Sequence, residues 1–171
     1  AVVPGLSPES ATAAATFWSR SWLSNGLVRN PNTPRCVALT APGGYDTHDD
    51  QPSELAEGLG ATADALLAFQ RDLEARGLAD RVLVHVWSEF GRRAQENASS
   101  GTDHGAAGAG FLIGTRAAGT MIGEFPGLGT LDRDGNLRAT TDFRSLYAAL
   151  LEDWLGADAE AILPGRAVGP R

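Results

Sequence analysis

The sequence predicts an α/β protein whose mostly parallel, open sheet is flanked by helices. Two apolar runs, Cys36–Ala41 and Arg81–Trp87, are predicted to be strands. The second run is almost continuously apolar, which is typical of a strand covered on both faces. A helix that opens at Pro52 and ends at Gly77 lies between them, with the glycine in the position favoured just past a last helical turn. Strand, helix and strand in this order predict a right-handed crossover between parallel strands.

The length and the order of the segments predict a single α/β domain over residues 1–171. Residues 1–34 are predicted to form a helix and a loop, because apolar residues recur there at spacings of three and four. Residues 35–163 hold the predicted sheet and its helices, and residues 164–171 form a tail. A chain of this length is long enough to bury a hydrophobic core.

Three further elements are predicted in the second half of the chain. Gly108–Gly114 is expected to be a short strand. Leu128–Thr140 is expected to be a small β-hairpin that turns at Asp134-Gly135-Asn136, because the dipeptides Asp-Gly and Gly-Asn favour tight turns. An amphipathic last helix is capped by Thr141 or Asp142 and stops at Gly156, as its spacing of apolar residues indicates.

Composition and charge exclude several classes of protein. The chain is 43% apolar and 20% charged, which is ordinary for a globular protein. Its formal net charge of −7 argues against a nucleic-acid partner, because such binding needs clustered lysine and arginine. No apolar stretch is long enough to span a bilayer. A single cysteine, Cys36, excludes an intrachain disulfide.

Metal-binding and proton-handling side chains follow the predicted strands. The loop GGYDTHDDQ follows the first strand, SEFGRR follows the second, and GTDHG comes soon after. Because parallel strands deliver their following loops to one carboxyl edge, we expect these side chains to meet there. Imidazole and carboxylate together suit zinc, manganese or iron, whereas calcium prefers oxygen ligands. The candidate ligands are Asp46, His48, Glu89, Asp103 and His104.

Other interpretations of these residues stay open. Aspartate and histidine in glycine-rich loops commonly cap helices and stabilise turns, and Asp50 is expected to cap the helix at Pro52. Arg92 and Arg93 would either offset the repulsion between clustered carboxylates or hold an anionic substrate. His85 lies mid-strand and is expected to be a core histidine or to support a ligand from outside the coordination sphere.

Four motifs in order give the chain a family resemblance. GGYDTHDDQ, WSEFGRR, GTDHG and TTDFRSLYAALLEDWLG resemble the bacterial domain-of-unknown-function family numbered 1501 over residues 35–163. That family resembles the alkaline phosphatase and sulfatase superfamily. The resemblance implies a doubly wound sheet with divalent metals at its carboxyl edge, and cleavage of phosphate or sulfate esters. It also implies export from the cytoplasm, since relatives with this resemblance often carry export signals.

Matching positions and departures both follow from the resemblance. Asp46 and His48 occupy the place of a ligand pair, Ser88–Gly91 matches a Ser-Asp-His-Gly turn, and His104 matches a late ligand histidine. Phe90, however, stands where a ligand histidine is expected, and the Asp-x-His spacing is narrower than usual. The early strand with its acidic ligand and nucleophile has no counterpart, which implies a fold truncated at its N-terminus.

Two functions are therefore expected. The first is a metal-dependent hydrolase of a small anionic ester, with zinc or manganese preferred over calcium or magnesium. Asp46, His48, Glu89 and His104 would bind the metal. Asp103 would orient His104 or complete the sphere, with Arg92 also catalytic and Arg92 or Arg93 holding the substrate.

The alternative is a non-catalytic module or fragment that binds a metal or ligand and needs a missing N-terminal segment or a partner. Its open sheet edge would favour homo-oligomers. A plain α/β domain whose polar loops are only turns is the third interpretation.

Overall fold

The computed structural model describes residues 43–165. The predicted N-terminal helix and the predicted strand Cys36–Ala41 lie outside these residues. The described residues form five helical segments and four strands. In chain order they are α1 (Gln51–Ala75), the 3-10 turn Ala79–Arg81, β1 (Val84–Val86), β2 (Gly91–Glu96), β3 (Thr102–Gly105), β4 (Phe111–Ile113), α2 (Phe143–Ala149), the π-helical turn Leu150–Trp154 and α3 (Ala159–Ile162).

The long helix α1 confirms the helix predicted between the first two apolar runs. Asp50 occupies the N-cap position with a left-handed backbone, and its carboxylate accepts the hydroxyl of Ser53 rather than a backbone N–H. At the other end, Gly77 has a φ of 66°. The N–H groups of Gly77 and Leu78 donate to the carbonyls of Glu74 and Leu73, which is the Schellman arrangement that glycine favours.

The prediction of a mostly parallel, open sheet is wrong for the described residues. Within residues 43–165 the strands form two antiparallel pairs, β1 with β4 and β2 with β3. β1 is short, and its three residues are only half-buried, so it is not the doubly covered strand that its apolar sequence suggested. Its pairing partner β4 lies within the predicted strand Gly108–Gly114 and runs in the opposite direction.

The hairpin of β2 and β3 explains the error. Both strands are polar, Gly-Arg-Arg-Ala-Gln-Glu and Thr-Asp-His-Gly, so neither shows the apolar alternation by which half-buried strands are recognised. Residues 88–93 and 101–105 were therefore taken for loops. The register pairs Arg92 with His104 and Gly91 with Gly105, with an irregularity before Glu96.

The predicted β-hairpin at Leu128–Thr140 is also wrong, since no strand is found between residues 128 and 140. A side-chain-stabilised turn replaces it. The carboxylate of Asp132 accepts the N–H groups of Asp134 and Asn136, and Gly135 has a φ of 79°. The turn residues were recognised correctly, but the flanking segments do not pair.

The C-terminal helical region begins and ends where it was predicted. Asp142 caps α2, because its side chain accepts the N–H of Arg144. Gly156, with a φ of 62°, follows the π-helical turn. Ala148 and Ala159 are buried in this region, and the rings of Tyr147 and of His85 from β1 meet in an edge-to-face arrangement with 5.6 Å between centroids. Between residues 43 and 165, no helix has both the length and the apolar character that crossing a membrane requires.

Candidate metal centre

The loop Gly43–Asp50 packs against the tip of the β2–β3 hairpin. The N–H groups of Asp50 and Gln51 donate to the carbonyls of Ser99 and Ser100 at 3.1 and 3.0 Å. The side-chain amide of Asn97 donates to the carbonyl of His48 at 2.8 Å. Backbone and side-chain hydrogen bonds therefore tie the loop to a hairpin about fifty residues further along the chain.

Gln51 fixes the same contact from the first turn of α1. Its amide nitrogen lies 3.0 Å from the hydroxyl oxygens of both Thr47 and Thr102. Thr47 is only 1% exposed, so its hydroxyl would be a costly buried polar group without this partner. The sequence left open whether Gln51 contributes to the site. The structure makes it a link between the loop and β3.

Gly101 allows the tip of the β2–β3 hairpin to approach the backbone of the loop Gly43–Asp50. A Cβ at this position would overlap the backbone carbonyl of His48 and the N–H of Asp49. The turn itself is held by Asn97, whose side-chain oxygen accepts the N–H groups of Ser99 and Gly101. The sequence pattern did not single out these residues, although asparagine, serine and glycine within five positions are typical of such turns.

Three candidate ligands converge where the loop meets β3. Nε2 of His104 lies 2.7 Å from Oδ1 of Asp46, and Nε2 of His48 lies 3.1 Å from the same oxygen. The two Nε2 atoms are 3.2 Å apart. Among the described residues, these three form the group of histidine, cysteine and acidic side chains that could hold a metal ion.

The geometry of this cluster fits a transition-metal ion. Tetrahedral ligands at the usual zinc distances lie about 3.3 Å apart, close to the separations between these three atoms. Two imidazoles with one carboxylate are also a donor set that zinc and manganese accept. The side chains of Asp46, His48 and His104 are 65%, 45% and 45% exposed, so coordination positions on the solvent side stay open.

Asp103 faces His48 rather than His104. Its Oδ1 lies 3.6 Å from Nδ1 of His48, on the side of the ring away from the cluster. A carboxylate on the second nitrogen of a ligand histidine fixes the orientation of its ring and its tautomer. Asp103 was expected to orient His104 or to complete the coordination sphere, and the structure instead places it beside His48, at a distance longer than a hydrogen bond.

Phe90 supports the other imidazole. Its ring stacks on that of His104 with 3.9 Å between centroids and 10° between planes. At the position where the resemblance implies a ligand histidine, the chain thus has Phe90, whose apolar ring stacks on the candidate ligand His104. Phe90 contributes no metal contact, and its ring restricts the orientation of His104.

Arg92 is directed at the backbone of the loop. Its guanidinium donates to the carbonyls of Tyr45 at 2.7 Å, Thr47 at 3.3 Å and Thr102 at 2.6 Å. Its side chain is 21% exposed, and Nη2 lies 3.6 Å from Oδ1 of Asp46. Arg92 was expected to hold a substrate anion, but its N–H groups already donate to these three carbonyls.

The electrostatics of the cluster favour an ionised Asp46. A hydrogen bond from His104 is the largest influence that lowers the pKa of the Asp46 carboxyl, and the charges of His48, His104 and Arg92 act in the same direction. Desolvation opposes them only in part. Asp46 therefore stays a carboxylate, the form that binds a cation.

Glu89 and Arg93 lie outside this group. Glu89 is exposed in the turn before β2 and is not among the three clustered ligands. Arg93 lines a small polar cleft of about 170 Å³ with Gln95, Glu96, Asn97 and Asp103. Because Asp103 also faces His48, the cleft adjoins the metal centre.

A comparison with protein-family models identifies the chain's relatives. The model described as "Protein of unknown function (DUF1501)" matches residues 9–164, which is most of the sequence. The chain belongs to the DUF1501 family. The match begins further toward the N-terminus than the resemblance over residues 35–163 indicated. No curated protein and no solved structure matches this DUF1501 protein.

Membership of the DUF1501 family leaves the reaction open, because the family description names none. The likeness to alkaline phosphatases and sulfatases stays a hypothesis. What can be said about the chemistry of this DUF1501 protein comes from its own residues.

Proposed function

We propose that this protein is a metal-dependent hydrolase of phosphate or sulfate esters whose centre consists of Asp46, His48 and His104. The observation that carries the proposal is the convergence of three ligand atoms within 3.2 Å. They come from two segments that are 56 to 58 residues apart. A purely structural turn does not require a carboxylate and two imidazoles to meet at one point.

The remaining residues have roles that fit this reaction. A bound zinc or manganese ion lowers the pKa of water and offsets negative charge on the transferring group. Asp46 contributes the charged ligand, and Asp103 keeps the ring of His48 oriented with Nε2 toward the centre. Arg93 is the cationic side chain of the adjoining polar cleft and could bind an anionic ester, although Glu96 and Asp103 line the same cleft.

The exposure of the cluster favours a second candidate, a non-catalytic module that binds a metal or ligand. All three ligand side chains are at least 45% exposed, whereas catalytic centres usually exclude water when they close around substrate. The two candidates share the metal centre and differ in turnover.

Metal analysis and ester turnover separate the candidates. We expect protein purified without chelator to contain zinc or manganese, and to hydrolyse 4-nitrophenyl phosphate or 4-nitrophenyl sulfate once loaded with either metal. His48→Ala and His104→Ala should each lose bound metal and turnover. His85→Gln is the matched control, because the third histidine lies in β1 against Tyr147.

Each outcome has a defined meaning. Metal bound through His48 and His104 without turnover of either ester contradicts the hydrolase and supports the binding module. Wild-type protein that retains no metal contradicts both.

A further inference from the structure

We propose that Arg92 is a positioning residue that sets the geometry of the metal ligands and is not available to substrate. The proposal rests on the metal centre proposed above. It divides the roles of two adjacent arginines that the sequence could not separate.

Arg92 contacts the backbone on both sides of the candidate ligand Asp46. Two of its three carbonyl acceptors belong to Tyr45 and Thr47, the residues on either side of Asp46. The guanidinium therefore holds the backbone before and after this ligand. Because a guanidinium presents several N–H donors in a rigid fork, it can hold separate acceptors at fixed angles, which the single ammonium of lysine cannot do.

The same guanidinium is coupled to the strand that carries His104. Its third acceptor is the carbonyl of Thr102 in β3, and the β2–β3 register places Arg92 directly opposite His104. Arg92 thus connects the loop that carries Asp46 and His48 to the strand that carries the third ligand. Separation of these two elements would take the ligand atoms out of coordination range.

Phe90 joins this arrangement. The guanidinium carbon of Arg92 lies 4.9 Å from the centre of the Phe90 ring, and this ring in turn stacks on His104. Loss of the guanidinium would therefore disturb both the loop and the ring that supports a ligand histidine. Ring orientation around a metal commonly changes affinity by about 10- to 100-fold.

Arg93 offers the contrast. It is exposed, and its side chain lines the cleft with Gln95 and Asp103. Neighbouring residues of a strand point to opposite faces, so the two arginines serve different surfaces. Of the two, Arg93 is the one whose side chain is exposed to solvent.

The test compares metal affinity in Arg92→Lys and Arg93→Lys with that of the wild-type chain of residues 1–171. Both substitutions keep the positive charge, so a difference reports hydrogen-bond geometry. We expect Arg92→Lys to weaken zinc binding about 10- to 100-fold and to alter the visible absorption of the cobalt-substituted protein. Arg93→Lys should leave zinc affinity and the cobalt spectrum unchanged.

If zinc affinity in Arg92→Lys falls by less than about two-fold and the cobalt spectrum is unchanged, the proposal is overturned. If Arg92→Lys loses its far-UV circular dichroism, Arg92→Gln takes its place, since an amide can still donate to one carbonyl, and Arg93→Gln then becomes the control with the same loss of charge. If both variants unfold, Arg92 serves folding in general and the proposal is overturned. Wild-type protein that binds no metal contradicts the proposed function itself, before either variant is compared.

Discussion

At the scale of single residues, Gly101 shows how closely the candidate centre depends on the backbone. The His48 carbonyl lies so near that any Cβ at position 101 would overlap it. We expect Gly101→Ala to move the hairpin tip away from the loop, to lower the melting temperature and to weaken metal binding at least ten-fold. Isothermal titration with zinc and thermal unfolding measure the two effects.

Gly60→Ala is the matched control for this substitution. Gly60 lies inside α1 with open space where a Cβ would project. Replacing glycine by alanine in a helix interior stabilises by about 1 kcal/mol, so this variant should melt higher and bind zinc normally. Equal zinc affinity in Gly101→Ala and wild type would show that the close approach is unnecessary for the centre.

At the scale of elements, the β1–β4 pair contains a histidine whose surroundings disfavour its charge. Burial lowers the pKa of His85 below its ordinary value, and the rings of His85 and Tyr147 meet in an edge-to-face arrangement. The unfolded chain therefore takes up a proton at a higher pH than the folded one. The contribution of this neutral histidine to stability is complete above the ordinary pKa of about 6.5 and decreases as the pH falls below it.

We therefore expect the urea midpoint of the wild type to fall more between pH 7.5 and pH 5.5 than that of His85→Gln. The variant removes the titration of His85 and leaves the other titrating groups in place. The difference between wild type and variant in the slope of urea midpoint against pH therefore reports His85 alone. Identical slopes would mean that the imidazole is solvated in the folded state.

The elements differ in how well the sequence predicted them. The bounds of α1 were predictable because cap, proline and terminal glycine are local signals read over a few residues. β2 and β3 were not, because their stability comes from backbone pairing and from contacts with the loop rather than from an apolar face. The predicted strand Arg81–Trp87 is reduced to Val84–Val86 in β1, and an apolar run of this kind does not determine its pairing partner.

At the scale of the whole molecule, the candidate ligands were named for the wrong topological reason. Asp46, His48 and His104 stood out because metal-binding residue types cluster in glycine-flanked segments. Their convergence was expected at the carboxyl edge of a parallel sheet. The structure brings them together instead through an antiparallel hairpin packed on a loop. Glu89, which the expected edge and the match of Ser88–Gly91 to a Ser-Asp-His-Gly turn both favoured, is exposed and does not join the other three.

The proposed centre would also act as a cross-link across the fold. Asp46 and His104 are 58 residues apart, and α1, β1 and β2 lie between them in the chain. A ligand that binds only the folded state stabilises it by about 2.7 kcal/mol when free ligand exceeds its dissociation constant 100-fold. For a domain of this size, each kcal/mol raises the melting temperature by about 2–4 °C. Zinc or manganese should therefore raise the melting temperature of the wild type by roughly 5–10 °C.

Differential scanning calorimetry with and without metal, followed by chelator, measures this shift and its reversal. His85→Gln keeps all three ligands and should show the full increase, whereas His48→Ala should show almost none. An equal increase in His48→Ala would place the metal elsewhere on this acidic chain, whose net charge of −7 attracts cations without a defined site. The dependence of the melting-temperature shift on His48 therefore locates the cation at the junction between loop and hairpin. The size of the shift alone does not.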